Sequence, residues 1–345
     1  MRAGWYFITF LVAVTINFYL PRLGKNDPVD IIMGMSGGGL TAAEAQAKEE
    51  MYLKDFGLVK LKEGEIVRDA EGKPVRASNF QQFMSYVGMC LTGDLGTSFQ
   101  NHSEKVWDVI KKALPWTVAL QLPTILFGWI VGNVLGALAA YRRGVFDKFF
   151  FPFALMLSAF PFFVFGMLLV YFFAVILPWF PMASGYDVSL TPDLYWDFIS
   201  SAAYHYVLPF FSIFLILAGG QAIGMRSMGI YELGTDYIKY AKWLGLKEMK
   251  VLAYLFRNAM LPQITGLALS LGTMVGGALI TEMIFSYPGL GMAMLTAIQN
   301  KDYPMIQGVT LIITVSVLIA NFTVDILIGF LDPRVKAGLQ MGKGV

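Results

Sequence analysis

Charge is scarce in this chain: 14% of its 345 residues are Asp, Glu, Lys or Arg, well below the roughly one quarter usual for a soluble domain. A large solvated surface is thereby excluded, and a chain that is 56% hydrophobic points to a membrane as its solvent. The 26 basic and 24 acidic residues nearly cancel to a net +2, so no overall basic field suggests nucleic acid as a partner. Cys90 is the single cysteine, which excludes an intrachain disulfide and a thiolate metal cluster. His102 and His205 stand far apart without carboxylates at ligand spacing, and lone histidines of this kind read as structural rather than metal-binding. No G-x-x-x-x-G-K-[ST] or H-E-x-x-H motif occurs, so neither nucleotide hydrolysis at a phosphate-binding loop nor a zinc-dependent membrane-enzyme chemistry has a recognisable carrier.

What is present are long intervals without charge. A hydrocarbon core roughly 30 Å thick needs about 20 apolar residues in helix. Six intervals qualify: Arg2 to Arg22 (19 residues), Lys112 to Arg142 (29), Lys148 to Asp187 (38), Asp197 to Arg226 (28), Arg257 to Glu282 (24) and Asp302 to Asp325 (22). The first lacks a small-residue cleavage site, carrying Phe18, Tyr19 and Leu20 where a signal peptidase would need small side chains, so it reads as a retained helix. The fold class expected is an all-α integral membrane protein of six transmembrane helices. With the N-terminus inside, thirteen Lys and Arg fall in short inner segments and only Lys301 in the two short outer loops, which places both termini in the cytoplasm.

The longest polar segment, 22–112, is expected outside the cell. Lys60 to Arg76 alternates in polarity around Glu63-Gly64 and Glu71-Gly72-Lys73-Pro74, predicting a small hairpin. Phe80, Phe83, Met84, Val87 and Leu91 recur at helical spacing before Gly93-Asp94-Leu95-Gly96, predicting an amphipathic surface helix and a turn. Asn101 with Glu104 predicts a capped helix start near His102.

The inner segment from Arg226 to Arg257 combines charge with exposed apolar side chains. Tyr237, Tyr240, Ala241 and Leu244 occupy i, i+3, i+4 and i+7, and Gly245 ends the run, predicting a short amphipathic helix over about 236–246. Such a helix suits either a lipid surface or a groove on a partner protein.

Together these features resemble the permease family of the dipeptide and oligopeptide importers among the ATP-binding-cassette transporters. The family's cytoplasmic signature stands here as Tyr237-Ile238-Lys239-Tyr240-Ala241-Lys242-Trp243-Leu244-Gly245-Leu246, followed by Arg257-Asn258-Ala259-Met260-Leu261-Pro262. Gly93-Asp94-Leu95-Gly96-Thr97-Ser98, Tyr141-Arg142-Arg143-Gly144, Pro288-Gly289-Leu290-Gly291, Asp302-Tyr303-Pro304 and Leu331-Asp332-Pro333-Arg334 follow the family's order and spacing. Trp243 and Leu244 depart from its usual Ala and Lys, and 57–78 lengthens the first outer loop.

The resemblance implies a first transmembrane helix at 1–21, an extracytoplasmic subdomain at 22–112, a type I importer permease core at 113–335 and a cytoplasmic tail at 336–345. It implies a second homologous permease, two ATPase subunits that use ATP and Mg, an extracytoplasmic solute-binding protein and the membrane lipid as partners, with no cofactor on this chain. Tyr237, Tyr240, Ala241, Lys242, Leu244, Gly245 and Leu246 would form the ATPase coupling helix, with Tyr240, Ala241 and Leu244 as apolar anchors. Intramembrane polar residues are functional candidates: Glu282, Asn321 and Asp325 are expected in the path or its gates, with structural pairing as the competing role. Gly272, Gly276 and Gly277 space like a close helix-packing face. Oligosaccharide import on the same architecture stays open as the alternative cargo, and a secondary transporter or channel as the alternative class.

Overall fold

Stretches without charge become helices because a backbone away from water must satisfy its own hydrogen bonds. The computed structural model describes residues 2–19, 41–55, 57–62, 65–98, 104–272, 274 and 279–331. Its elements are α1 (Arg2–Tyr19), α2 (Ala42–Asp55), β1 (Leu61–Lys62), β2 (Glu65–Ile66), α3 (Asn79–Thr92), α4 (Val106–Arg142), α5 (Val145–Ala159) and α6 (Phe162–Val170). After α6 a π-helical turn covers Tyr171–Ile176, followed by α7 (Trp196–Leu233), α8 (Asp236–Trp243), α9 (Glu248–Gly272), α10 (Leu279–Ile284), α11 (Leu290–Gln299) and α12 (Tyr303–Leu331). Among the described residues three helices are long and apolar enough to cross a membrane, at Val106–Arg142, Trp196–Leu233 and Tyr303–Thr323; α5 and α6 make a fourth if counted as one span. That pair bends by 99°, at Phe160-Pro161, where proline withholds its N–H and pushes the residue before it out of the helical region. The charge-free interval after Lys148 is therefore a bent pair of helices rather than one straight helix.

The chain divides into two compact units. The first holds Met1–Leu114 and Ala293–Val315. In it, the Thr41 hydroxyl and Glu44 carboxylate cap α2 reciprocally, the Thr41 N–H donating to Glu44 at 2.8 Å. Tyr52, Leu53, Leu58 and Val59 form a small core under Ile66. The expected hairpin is present: β1 and β2 pair antiparallel with Leu61 opposite Ile66, and Lys60 and Val67 extend the ladder to Val75. Its first turn, Glu63-Gly64, lies outside the described residues. The amphipathic helix predicted from Asn79 is α3, opened by a Ser78–Gln81 capping box and closed by Gly93 in the left-handed region at φ 73°.

One expectation for this unit fails. The next helix starts at Val106, not near His102, because Thr97 and Lys105 pair as an antiparallel bridge and Ser98 donates to the Glu104 carbonyl at 3.0 Å. Glu104 is drawn instead into an ion pair with Lys112 at 2.6 Å. Asn101 and His102 lie outside the described residues.

The second unit holds Pro115–Met292 and Ser316–Val345. At its centre α7 packs on α5, α6 and α9, and α4 approaches it closely through small residues. Gly128, Gly132 and Gly136 recur every fourth residue on α4, and a Cβ at Gly132 would sit on the Ala218 carbonyl, one at Gly136 on the Ala222 carbonyl. Without a hydrophobic drive between helices in lipid, such small-residue faces let backbones approach and gain dispersion contact. The expected close-packing glycines were Gly272, Gly276 and Gly277; the last two lie outside the described residues, and the close approach seen is on α4. Further along α7, Arg226 grips Asp147 of α5 with two hydrogen bonds of 2.5 and 2.6 Å and lies 4.0 Å from the Phe151 ring centre.

Candidate functional sites

The segment between α7 and α9 is built from local chemistry upward. α7 stops at Leu233, the Thr235 hydroxyl folds back on the Glu232 carbonyl at 2.5 Å, and α8 begins at Asp236. At its other end Gly245, at φ 70°, donates to the Lys242 carbonyl at 3.0 Å while Leu246 donates to that of Ala241 at 3.2 Å. This pair of bonds is the Schellman closure, which needs a residue tolerant of the left-handed region where Gly245 stands. Leu246 packs back on the same cluster as Ala241, completing the apolar contact that usually accompanies it.

Helical geometry then sorts the side chains. Ile238 and Ala241, three residues apart, are 0% and 5% exposed, and they join a core with Ala137, Met225, Val251, Leu255 and Ala259. Tyr240, Trp243 and Leu244 face the other way at 60, 77 and 78% exposure, with the Tyr240 and Trp243 rings edge to face at 5.5 Å. Of the three expected anchors, Tyr240 and Leu244 are thus outward and Ala241 is inward. Ala241 cannot touch a partner without dismantling the core, and Trp243, marked in the sequence only as a departure from a pattern, takes its place on the free face.

The remaining side chains fix the pose. Tyr237 donates its hydroxyl proton to Glu232 and also meets the Asn258 side chain. Burial first, and then the Glu232 contact, hold that hydroxyl above the ordinary tyrosine range, since both favour its neutral form. Lys242 lies 5.7 Å from the centre of the Tyr141 ring, tying α8 to the end of α4. The result is a short helix held rigidly from behind, with an aromatic and aliphatic face left bare. A bare apolar face of this kind marks an interaction surface.

The polar candidates lie elsewhere. Glu282, in α10, is 0% exposed; its Oε2 accepts from the Gly291 N–H at 2.6 Å, and its Oε1 has no hydrogen-bond partner among the described residues. Thr117, also fully buried, accepts from the Leu290 N–H at 2.9 Å. These two side chains satisfy the first two N–H groups of α11, where a negative group also meets the positive end of the helix dipole. The glycines of Pro288-Gly289-Leu290-Gly291 are explained by the same contact. A Cβ at Gly289 would overlap the Glu282 carboxylate, and one at Gly291 would come within 2.6 Å of the Leu279 backbone. Nearby, Ser184 donates to the Phe285 carbonyl at 2.7 Å and Trp116 stacks on Tyr186 at 5.5 Å and against Tyr287 at 5.6 Å. Asn321 is half-buried on α12; Asp325 lies on the same helix, its side chain outside the described residues.

A second buried acid repeats the device in the first unit. Asp302, 2% exposed, accepts from the Met305 N–H at 3.2 Å at the start of α12 and from the Ser98 hydroxyl at 2.5 Å. The motifs Gly93 to Ser98 and Asp302 to Pro304 are therefore two halves of one contact. Spacing shows each as a separate oddity and cannot show that they meet.

Residues 132–337 match the family described as binding-protein-dependent transport system inner membrane component. That match covers α7, α8 and α9 and the whole exposed face described above. The chain belongs to this family. Permeases of the family are transport subunits of multi-pass membrane systems and not themselves enzymes. Over nearly its full length, this permease is similar to the di/tripeptide transport system permease protein DppB of Pseudomonas aeruginosa, at 31% identity with 97% of each chain covered. It is 30% identical to the dipeptide transport system permease protein DppB of Escherichia coli, again with 97% of each chain covered. The oligopeptide transport system permease protein AppB of Bacillus subtilis is 29% identical, with 95% of this chain and 96% of that one covered.

Proposed function

We propose that this chain is one of two related permeases in an ATP-driven importer and forms half of a translocation path for dipeptides or oligopeptides. The observation that carries the reading is the end-to-end likeness to permeases named for peptide transport, which includes the segment before the family match. On this reading six spans cross the membrane: α1, α4, the α5–α6 pair, α7, α9 with α10, and α12. Both termini are cytoplasmic, in line with the excess of Lys and Arg in the short loops on that side. Residues 22–112 form the extracytoplasmic subdomain, 113–335 the core and 336–345 the tail.

Two partner ATPases use ATP and Mg, and an extracytoplasmic binding protein delivers cargo. α8 is the coupling helix. Tyr240, Trp243 and Leu244 enter a cleft of the ATPase, while Tyr237, Ala241, Lys242, Gly245 and Leu246 hold the helix against the spans so that ATPase closure moves them as a body. Glu282 acts in gating by fixing the start of α11, and Asn321 and Asp325 stand beside the path on α12.

The test is uptake by vesicles holding the complete complex with its binding protein. Labelled dipeptide should accumulate only with ATP inside the ATPase-bearing compartment. Accumulation of an oligosaccharide but no peptide would transfer the reading to sugar import, and ATP-independent accumulation would favour a secondary transporter.

A further inference from the structure

α3 has three faces, and among the described residues only one of them packs on another helix. Phe83 and Tyr86 pack on the last turns of α1, with Phe18 to Phe83 at 5.4 Å, Phe18 to Tyr86 at 5.5 Å and Tyr19 stacked on Phe83 at 6.0 Å. The Asn17 amide donates to the Tyr86 hydroxyl at 2.8 Å on the same side. A second face, Gln81, Ser85 and Thr92, is polar and exposed. The third is an apolar stripe, with Phe80, Met84 and Leu91 at 69, 52 and 75% exposure and Val87 between them. The 14 residues of α3 carry no charge at all.

We propose that α3 is an interfacial helix that lies flat in the outer leaflet beside the end of α1, its apolar stripe among the acyl chains and its polar face in water. This rests on the reading of α1 as a span with Tyr19 at the outer surface. Three observations favour lipid over a protein partner. α1 leaves Trp5, Ile8, Val12 and Ile16 exposed along its length, so the lipid-facing surface of the span continues into the stripe. The contact with α3 involves only the last turns of α1, which fixes α3 at the depth where aromatic side chains gather in membranes. At about 21 Å the helix is too short to span and has the apolar face and polar back that in-plane helices have. Having no Lys or Arg, it would be held by burial of apolar surface and not by attraction to anionic headgroups.

The test uses the full chain with Cys90→Ala as background, in phosphatidylcholine nanodiscs containing a lipid spin-labelled near its headgroup. Single cysteines at Met84→Cys and Leu91→Cys, at Gln81→Cys and Ser85→Cys on the polar face, and at Leu11→Cys on α1 carry an environment-sensitive fluorophore. Quenching at 84 and 91 should exceed that at 81 and 85 by about threefold and should be unchanged in ~0.5 M salt. Quenching of the Leu11 label by a lipid labelled deep in its chain shows that α1 spans. If the Leu11 label is quenched while 84 and 91 respond no more than 81 and 85, the interfacial helix is refuted. If 84 and 91 become shielded only when the second permease or the binding protein is added, the stripe is a protein interface and the proposal is equally refuted. No quenching at Leu11 would overturn the span on which it rests.

Discussion

The Ser98 hydroxyl donates a 2.5 Å hydrogen bond to Asp302, joining positions 204 residues apart. Because the carboxylate also caps α12 through Met305, one side chain holds a loop and starts a helix at once. Removing a buried acceptor leaves its donors unsatisfied, which costs about 1–3 kcal/mol each. Asp302→Ala should therefore lower the midpoint of thermal unfolding in detergent more than Ser98→Ala, and Asp302→Asn, which keeps one acceptor oxygen, should fall between them. Equal behaviour of all three would mean that the contact carries no stability.

Gly132 and Gly136 should be intolerant of any side chain. A Cβ at either position would land on a carbonyl of α7, and overpacking of a tight contact costs about 1–3 kcal/mol. Gly136→Val should reduce the yield of folded chain, whereas the same substitution at Gly220, where nothing lies within 4 Å of the added Cβ, should leave it near normal. Fluorescence-detected size exclusion separates the two.

Gly289 and Glu282 should behave as a pair. Gly289→Ala drives a methyl into the carboxylate and should impair uptake, whereas Glu282→Asp, one methylene shorter, should restore part of the loss when combined with it. A double variant that is as defective as the two single losses added together would remove the proposed steric link.

The elements of this protein were readable in its sequence wherever one local rule decided the outcome. The amphipathic helix from Asn79, the Gly93 stop and the Gly245 stop depend on neighbours within a few residues, and each stands where expected. Facing was harder. Spacing alone grouped Ala241 with Tyr240, because on a two-turn helix carrying apolar residues on two sides the periodicity does not say which side meets the core. Ile238 decides it, and its burial depends on Val251 and Leu255, which approach only after the chain has turned back at Gly245. The start of α4 was misplaced for a similar reason: Asn101 to Glu104 has the local chemistry of a cap, but the Thr97–Lys105 pairing competes for the same backbone groups. Asp302 capping α12 through Met305, three residues on, follows a local rule, but that Ser98 meets it from 204 residues away, and that Glu282 caps α11 from the preceding helix, no local pattern encodes.

The coupling of this permease to its ATPases stands or falls on the exposed face of α8. The direct measurement is ATP hydrolysis by the reconstituted complex of this chain with its partner permease, ATPases and binding protein, comparing Tyr240→Asp with Trp243→Asp and with Lys239→Ala on the charged edge. The two aspartates add charge to an exposed apolar surface and leave Ile238 and Ala241 in place, so the chain should still fold and insert, while cargo-stimulated hydrolysis falls by about tenfold or more. Lys239→Ala should stay within about twofold of the parent. Full stimulated hydrolysis by both aspartate variants, in complexes that retain their ATPases, would contradict the assignment of α8 as the coupling helix.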